Sequence, residues 1–428
     1  MAIIYTESRR DDIKGSEMIR SRLMEKGVVI HLPETVHIEE TVDPARIEPH
    51  AVIHAGSRIR GKATFICSGS VIGEETPATI DNCHIGPGVR LKGGFFKDAV
   101  FLKGAAMGSG AHVRAGTIFE EYASAAHQAG LKQTILFPFV TLGSLVNFCD
   151  CLMAGGTGPK NHSEVGSSYI HFNFTPQQDK ATPSMIGNVP QGVMLNQKPI
   201  FLGGQGGLVG PARLAFGTVI AAGTICRSDE LREGRLLFGG PSRSGNIPYN
   251  QDFYRNIKNI VLKNLHYVAG LASLMHWYDH VRVCFVSTEM PLPLFEGLKA
   301  NLGTAIEERV SRLSAFAGKM GDSAAAYEKF AGKNASEKLL AQKRQLFENR
   351  EKLCGVILSD CAFCKGHDRQ RDFFLQALSH AKDIYGTADY LGTIQGVDPE
   401  DAETGVAWLQ GIIDTCLERW TKILTAFS

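Results

Sequence analysis

Excess charge of either sign is what this chain of 428 residues most plainly lacks: 45 Lys and Arg stand against 44 Asp and Glu, a formal net charge of +1. Such a balance leaves no polyelectrolyte footprint, so nucleic acid is not an expected partner. Long apolar runs are missing too. The best, Tyr267 to Met275, is followed by His276 and Asp279. It falls well short of the roughly 18 uninterrupted apolar residues of a membrane span, so no membrane association is expected. The opening MAIIYTESRRDD has no apolar core of the secretory kind. No leader is therefore expected, and the cytoplasm is the expected compartment. The 10 cysteines then read as reduced thiols and not as a disulfide frame.

Glycine is plentiful, at 46 residues, and it clusters before position 245. There the chain repeats with a period of six. Leu202, Leu208, Leu214 and Ile220 keep that spacing, as do Ile47, Ile53, Ile59, Phe65 and Val71, and later Phe101, Met107, Val113 and Phe119. A period of six fits neither a helix nor an alternating strand. It fits a coil of three short flat sides with one inward apolar residue on each, a parallel β-helix. GEETPAT and GGFFKDA interrupt the phase as loops. EYASAAHQAG breaks it, and GGTGPKNH and Thr175 to Lys198 read as excursions from a rigid scaffold. Gly15 to Lys26 reads as a short amphipathic helix ended by Gly27.

After GGPSRSGNIPYN the texture changes to helical spacing, as in Phe253, Ile257, Ile260, Val261 and Val268, and again in Val406, Leu409, Ile412, Cys416 and Trp420. The chain divides into a lead-in over 1–35, a β-helix with inserted loops over 36–230, a linker over 231–250, and an α-helical domain over 251–428. The helical domain is expected to hang from the end of the coil.

LVGP (Leu208 to Pro211) and IAAGT (Ile220 to Thr224), followed by Arg227, resemble the closing coils of a known family. It is the C-terminal β-helix of the bacterial bifunctional N-acetylglucosamine phosphate uridyltransferase and glucosamine phosphate acetyltransferase. MIRSRLMEKGVVIHLPETVHIEE is similar to that family's junction before its β-helix. Too few residues precede Met18 for a uridyltransferase domain, so that activity is not expected. The chain looks like the stand-alone proteins related to UDP-N-acetylglucosamine pyrophosphorylase. The resemblance implies a left-handed parallel β-helix (hexapeptide repeat) followed by an α-helical domain, a homotrimer, a sugar phosphate or nucleotide sugar as ligand, and an acyl-CoA as donor. Loops 155–163 and 175–198 would then meet an adjacent subunit.

Carried over by motif, the resemblance puts the sugar-phosphate arginine at Arg114 in AHVRAG. It puts the asparagine and aromatic at Asn173 and Phe174, the lysine at Lys180, and the acyl-CoA contacts at Gly204, Ala222 and Arg227. The family's catalytic histidine is replaced: GSLVNFCD offers Phe148. Acyl transfer to an amine needs a group that takes the amine's proton, which phenylalanine cannot do. The replacement candidates are His162, His171, His127 and Asp150. A catalytically silent scaffold or sugar-nucleotide binder is the alternative function.

One further constellation stands outside this pattern. Cys354, Cys361, Cys364 and His367, around the CAFC motif, have the residue types and spacing of a structural zinc site at a helix-loop-helix corner. GGQGG and AGGTG lack the strand-then-helix context of a phosphate loop and read as corners of the coil.

Overall fold

A computed structural model describes residues 2–239, 245–246, 253–363, 367–386 and 388–427, with side chains from Lys14 onward except Phe363. Its first half is a left-handed parallel β-helix, a solenoid of about 11 turns. One side of the prism is an 11-stranded parallel ladder running from Val29–Ile30 to Leu236–Leu237. The second side runs from His37–Ile38 to Ile225–Cys226, and the third from Phe65–Ile66 to Arg213–Leu214. These two sides merge because Gly130–Leu136 and Asn147–Met153 continue around their shared corner. Gln133 (φ 54) and Asp150 (φ 61) make those bends in the left-handed region, which a short polar side chain such as that of Asp enters at tolerable cost.

The period of six produces the core directly. Leu202, Leu208, Leu214 and Ile220 are at most 1% exposed, stacked coil upon coil so that each covers its neighbours from water. Two details of the sequence reading change. The inward residues at the fourth and fifth hexads are Ile66 and Ile72. Val71 points outward, and Phe65 lies beneath the Arg46 guanidinium at 5.5 Å. EYASAAHQAG does not break the coil. Phe119, Ala125 and Leu131 keep the spacing of six, with Ala125 as a small inward residue in the first ladder.

The N-terminal helix, α1 (Ala2–Glu25), is longer than its amphipathic part. Leu23 is buried, and the Ser16 hydroxyl accepts from the Ile38 amide at 2.9 Å, so the helix caps the first coil. The excursion at 175–198 is partly coil. Ser184–Ile186 joins the third ladder, and α2 (Val189–Gly192) follows, capped by Asn188.

Eight further helices follow among the described residues: α3 (Ile257–His280), α4 (Leu292–Gly318), α5 (Met320–Ala331), α6 (Glu337–Glu348), α7 (Arg350–Phe363), α8 (Asp368–Tyr385), α9 (Tyr390–Gln395) and α10 (Pro399–Thr421). They do not hang from the end of the prism. They fold back along its third side, and the helices and the coil form one hydrophobic core. α4 lies across His84–Ile85, Ala99–Phe101 and Thr117–Phe119. The approach is close enough that a Cβ at Gly297 would stand 2.3 Å from the His84 ring. Asn301 Nδ2 donates to the carbonyls of Asp98 and Thr117, each at 3.1 Å. At the far corner, Tyr278 donates to Glu120 at 2.6 Å and the buried Arg282 pairs with Glu121.

The zinc expectation is not supported. Cys354 and Cys361 lie within the continuous helix α7, where seven residues separate them by about 10 Å along the axis. Cys361 is buried, and His367, at the start of α8, packs on Gly411. Cys364 lies outside the described residues. Among the described residues, no group of three His, Cys, Asp or Glu side chains comes together for a metal. The membrane expectation meets one observation: among the described residues, no helix is long and apolar enough to cross a membrane.

Candidate functional site

The prism has three long edges, and two of them gather the chemistry. The edge between the second and third sides collects most of the acceptor-side residues implied by sequence. Asp150, 2% exposed, sits at the bend of its strand. Its Oδ1 pairs with Arg309 of α4 at 2.7 Å, and its Oδ2 accepts from Asn173 Nδ2 at 2.6 Å. Arg309 Nη1 also donates to the Lys180 carbonyl at 3.5 Å. The Arg114 guanidinium reaches Cys149 Sγ at 4.0 Å, and its side chain is otherwise exposed. His171 is buried. Its Nδ1 meets the Cys149 carbonyl at 2.6 Å and its Nε2 meets Ser184 Oγ at 2.8 Å. Burial pushes its pKa down from 6.5 to about 4, so the ring is neutral near pH 7.

This edge is therefore sealed. Both oxygens of the Asp150 carboxylate are engaged, one of them by Arg309 of α4, and His171, in register with the inward Leu208, faces the interior of the coil with both ring nitrogens bonded. Phe148, at the position of the family's histidine, is fully buried. Asp150 holds the coil to α4, and His171 and Phe148 pack the interior of the coil. A carboxylate and an imidazole with no access to solvent cannot exchange a proton with a bound acceptor.

The edge between the first and second sides is open. Here consecutive coils stack His127, Ser144, Ser167, Gly204 and Ala222. The amides of Leu145, Ser168, Gln205 and Gly223 each donate to the coil before, at 2.8–3.0 Å. His127 is exposed, and its Nδ1 shares a 3.0 Å hydrogen bond with Ser144 Oγ. The Ser144 amide in turn donates to Ser167 Oγ at 3.2 Å. At ~4.8 Å per coil, Gly204 lies about 14 Å and Ala222 about 19 Å from His127 along the edge. No side chain larger than serine interrupts the stacked positions. A Cβ at Gly223 would meet nothing within 4 Å. The residue types fit an extended, uncharged arm laid along the edge, as the pantetheine portion of an acyl-CoA would be.

The remaining implied residues go elsewhere. His162 belongs to a small hairpin, Gly156–Gly158 with Asn161–His162, at the edge between the third and first sides. Its Nδ1 is 3.3 Å from the Ser163 carbonyl. Gln395 of α9 holds that hairpin through the Thr157 carbonyl at 2.7 Å, so the loop meets the chain's own helices. Phe174 is 66% exposed. Arg227 is exposed on the sealed edge beyond the reach of α4, and lines a cleft with Arg213, Lys263 and His266.

The motif pattern does not point to Arg309, Ser144, Arg213, Lys263 or His266. For Arg309 a signal existed: it shares the apolar face of α4 with Ala305, Ile306, Leu313 and Phe316, and a charge on such a face needs a buried partner. The others meet partners too distant in sequence for spacing to indicate.

No family model matches the chain. The bifunctional protein GlmU of Nitratidesulfovibrio vulgaris is 26% identical over 241 residues, 55% of this chain and 47% of that protein. GlmU of Pelobacter propionicus is 27% identical over 232 residues, 53% of this chain and 45% of that protein. The chain thus spans about half the length of the curated relatives it matches. Among solved structures, LpxA from Acinetobacter baumannii aligns with 65% of this chain and 93% of its own, at 14% identity and a TM-score of 0.21. Similarity to GlmU and the hexapeptide coil bear out the resemblance read from the closing motifs.

Proposed function

We propose that this chain is a hexapeptide-repeat transferase acting on a sugar phosphate or nucleotide sugar with an acyl-CoA donor. In this reading its chemistry has moved to the open edge of the prism. The observation that carries it is the alignment of His127, held through Ser144, with Gly204 and Ala222 on one accessible edge. Those two positions are two of the three acyl-CoA contacts implied by the resemblance; the third, Arg227, lies one edge away.

An amine or hydroxyl attacking a thioester must lose its proton as the new bond forms. His127 is exposed and has no bond to Nε2 among the described residues. It can take that proton and pass it to the departing thiolate. Ser144 fixes the ring's orientation, the role an orienting partner plays for a general base. The phosphorylated acceptor needs a cation, and Arg114 and Lys180 are exposed one face away, roughly 16 Å across five residues of extended chain. One prism cannot join the two edges, so the reading requires a homotrimer in which a neighbouring copy brings its Arg114 edge to the first copy's His127 edge.

A second reading has its own support. Phe148 and the sealed Asp150 edge favour a catalytically silent scaffold or sugar-nucleotide binder. Thermal shift with acetyl-CoA, UDP-N-acetylglucosamine and glucosamine phosphate separates the two. The transferase requires a rise with acetyl-CoA that Ala222→Trp removes. A rise with the nucleotide sugar alone favours the binder, and no rise with any of the three sinks the transferase and leaves the scaffold.

A further inference from the structure

Where the closing coils meet α3 and α10, two clefts join end to end. The first is lined by Arg213, Arg227, Lys263 and His266, with Asn256 and Asn259 at the start of α3. The second shares Arg213 and His266 and continues between Met185, Phe216, Leu231 and Ile413. One chamber is cationic and the other mixes apolar and polar walls.

The charge at the first chamber is not self-neutralised. Arg213, Arg227 and Lys263 face a single lining carboxylate, Asp229. Asp229 accepts from Lys263 at 2.8 Å and from Arg213 Nε at 3.5 Å. Arg227 has no ion-pair partner among the described residues, although it is held at the same cleft. α3 begins here with no side-chain cap at Asn256, which leaves first-turn amides to add to the positive field. Burial, and then the nearby Arg213, push the His266 pKa down. His266 therefore sits as a neutral ring at the junction of the chambers, able to donate or accept. The second chamber is lined by the amides Asn188 and Gln191, which bond each other, by Gln410, whose Nε2 donates to Asp414 and leaves its carbonyl oxygen to accept, and by one carboxylate, Glu233.

We infer that this seam binds a phosphorylated small molecule, with the phosphate in the chamber of Arg227, Arg213 and Lys263 and a neutral, amide- or hydroxyl-bearing body along the chamber of Phe216 and Gln410. The site is built jointly by the closing coils and the helices. Arg227 faces α3 here, one prism edge away from Gly204 and Ala222. The inference rests on the seam alone and stands or falls apart from the reaction proposed for the open edge.

The test is calorimetric titration of the full chain with two probes, inorganic pyrophosphate for the head alone and 4′-phosphopantetheine for head and body. Both are expected to bind, more weakly as salt rises. Arg227→Glu is expected to weaken both at least tenfold. Arg227 is exposed and has no ion-pair partner among the described residues, so an unchanged unfolding midpoint checks that the fold is intact. Ala222→Trp, which closes the open edge to a pantetheine arm, is expected to spare pyrophosphate. In that background Gln410→Trp, at an exposed position on α10, is expected to weaken the phosphopantetheine probe and spare pyrophosphate. Absence of pyrophosphate binding, its indifference to Arg227→Glu, or its loss on Ala222→Trp overturns the site. Indifference of the phosphopantetheine probe to Gln410→Trp in the Ala222→Trp background overturns the assignment of the second chamber.

Discussion

Two edges of the same prism carry polar side chains, and they have opposite fates. On one, Asp150 is paired with Arg309 and Asn173 beneath a helix, and His171 is neutral and fully bonded. On the other, His127 lies in the open against a serine. The coil is the same at both edges. What differs is the cover, since α4 desolvates one edge and nothing among the described residues covers the other. Burial turns a potential acid or base into a structural bond, because a charge without water must be satisfied by fixed partners. The same residue types left in water remain within reach of a bound molecule.

That contrast can be broken in order of expected effect. His127→Gln removes the proposed base and is expected to lower acetyl transfer by roughly 10²–10⁴-fold, with stability changed by less than about 0.5 kcal/mol as for an ordinary surface site. Steady-state rates and urea unfolding on the same preparation check both halves. Arg309→Met does the reverse. It strands the buried Asp150 carboxylate and is expected to cost about 3–5 kcal/mol, read as a lower urea midpoint. Adding Asp150→Asn is expected to recover much of the loss.

The third prediction concerns acid. In the folded protein the His171 pKa lies at about 4, below the ordinary 6.5, so on acidification the unfolded chain takes up the proton first. Its contribution to stability is complete above pH 6.5 and is lost as pH falls toward 4, by at most about 3 kcal/mol. His171→Gln is expected to shrink the difference in unfolding free energy between pH 7 and pH 4.5. An unchanged difference would remove His171 from the buried set.

Much of the prism was legible because each inward residue is fixed by its own coil. Leu202, Leu208, Leu214 and Ile220 announce the hexad without help from the rest of the chain. The period faltered where the inward residue was small, at Ala125, and where two apolar neighbours competed for one position, at Phe65–Ile66 and Val71–Ile72. The helices were legible from their spacing, but their docking was not. Gly297 against His84, and Arg309 against Asp150, are pairings across well over a hundred residues. The site suffered most from this. Asp150 and His171 have suitable chemistry in the sequence; Arg309 of α4 withdraws the first, and an inward place in the coil, in register with Leu208, withdraws the second. His127 lay in a stretch read as irregular, and its value comes from the coils stacked beneath it. Cys354 and Cys361 looked like ligands because spacing was read as if the chain turned there, whereas α7 runs on through both.

The central claim is that donor binding belongs to the open edge and structure to the sealed one. Calorimetric titration of acetyl-CoA into the wild type, Ala222→Trp and Asp150→Asn tests it most directly. The account predicts that Ala222→Trp weakens binding at least tenfold at an unchanged unfolding midpoint, and that Asp150→Asn lowers the midpoint while leaving affinity intact in the folded protein. Affinity indifferent to Ala222→Trp and abolished by Asp150→Asn would contradict it.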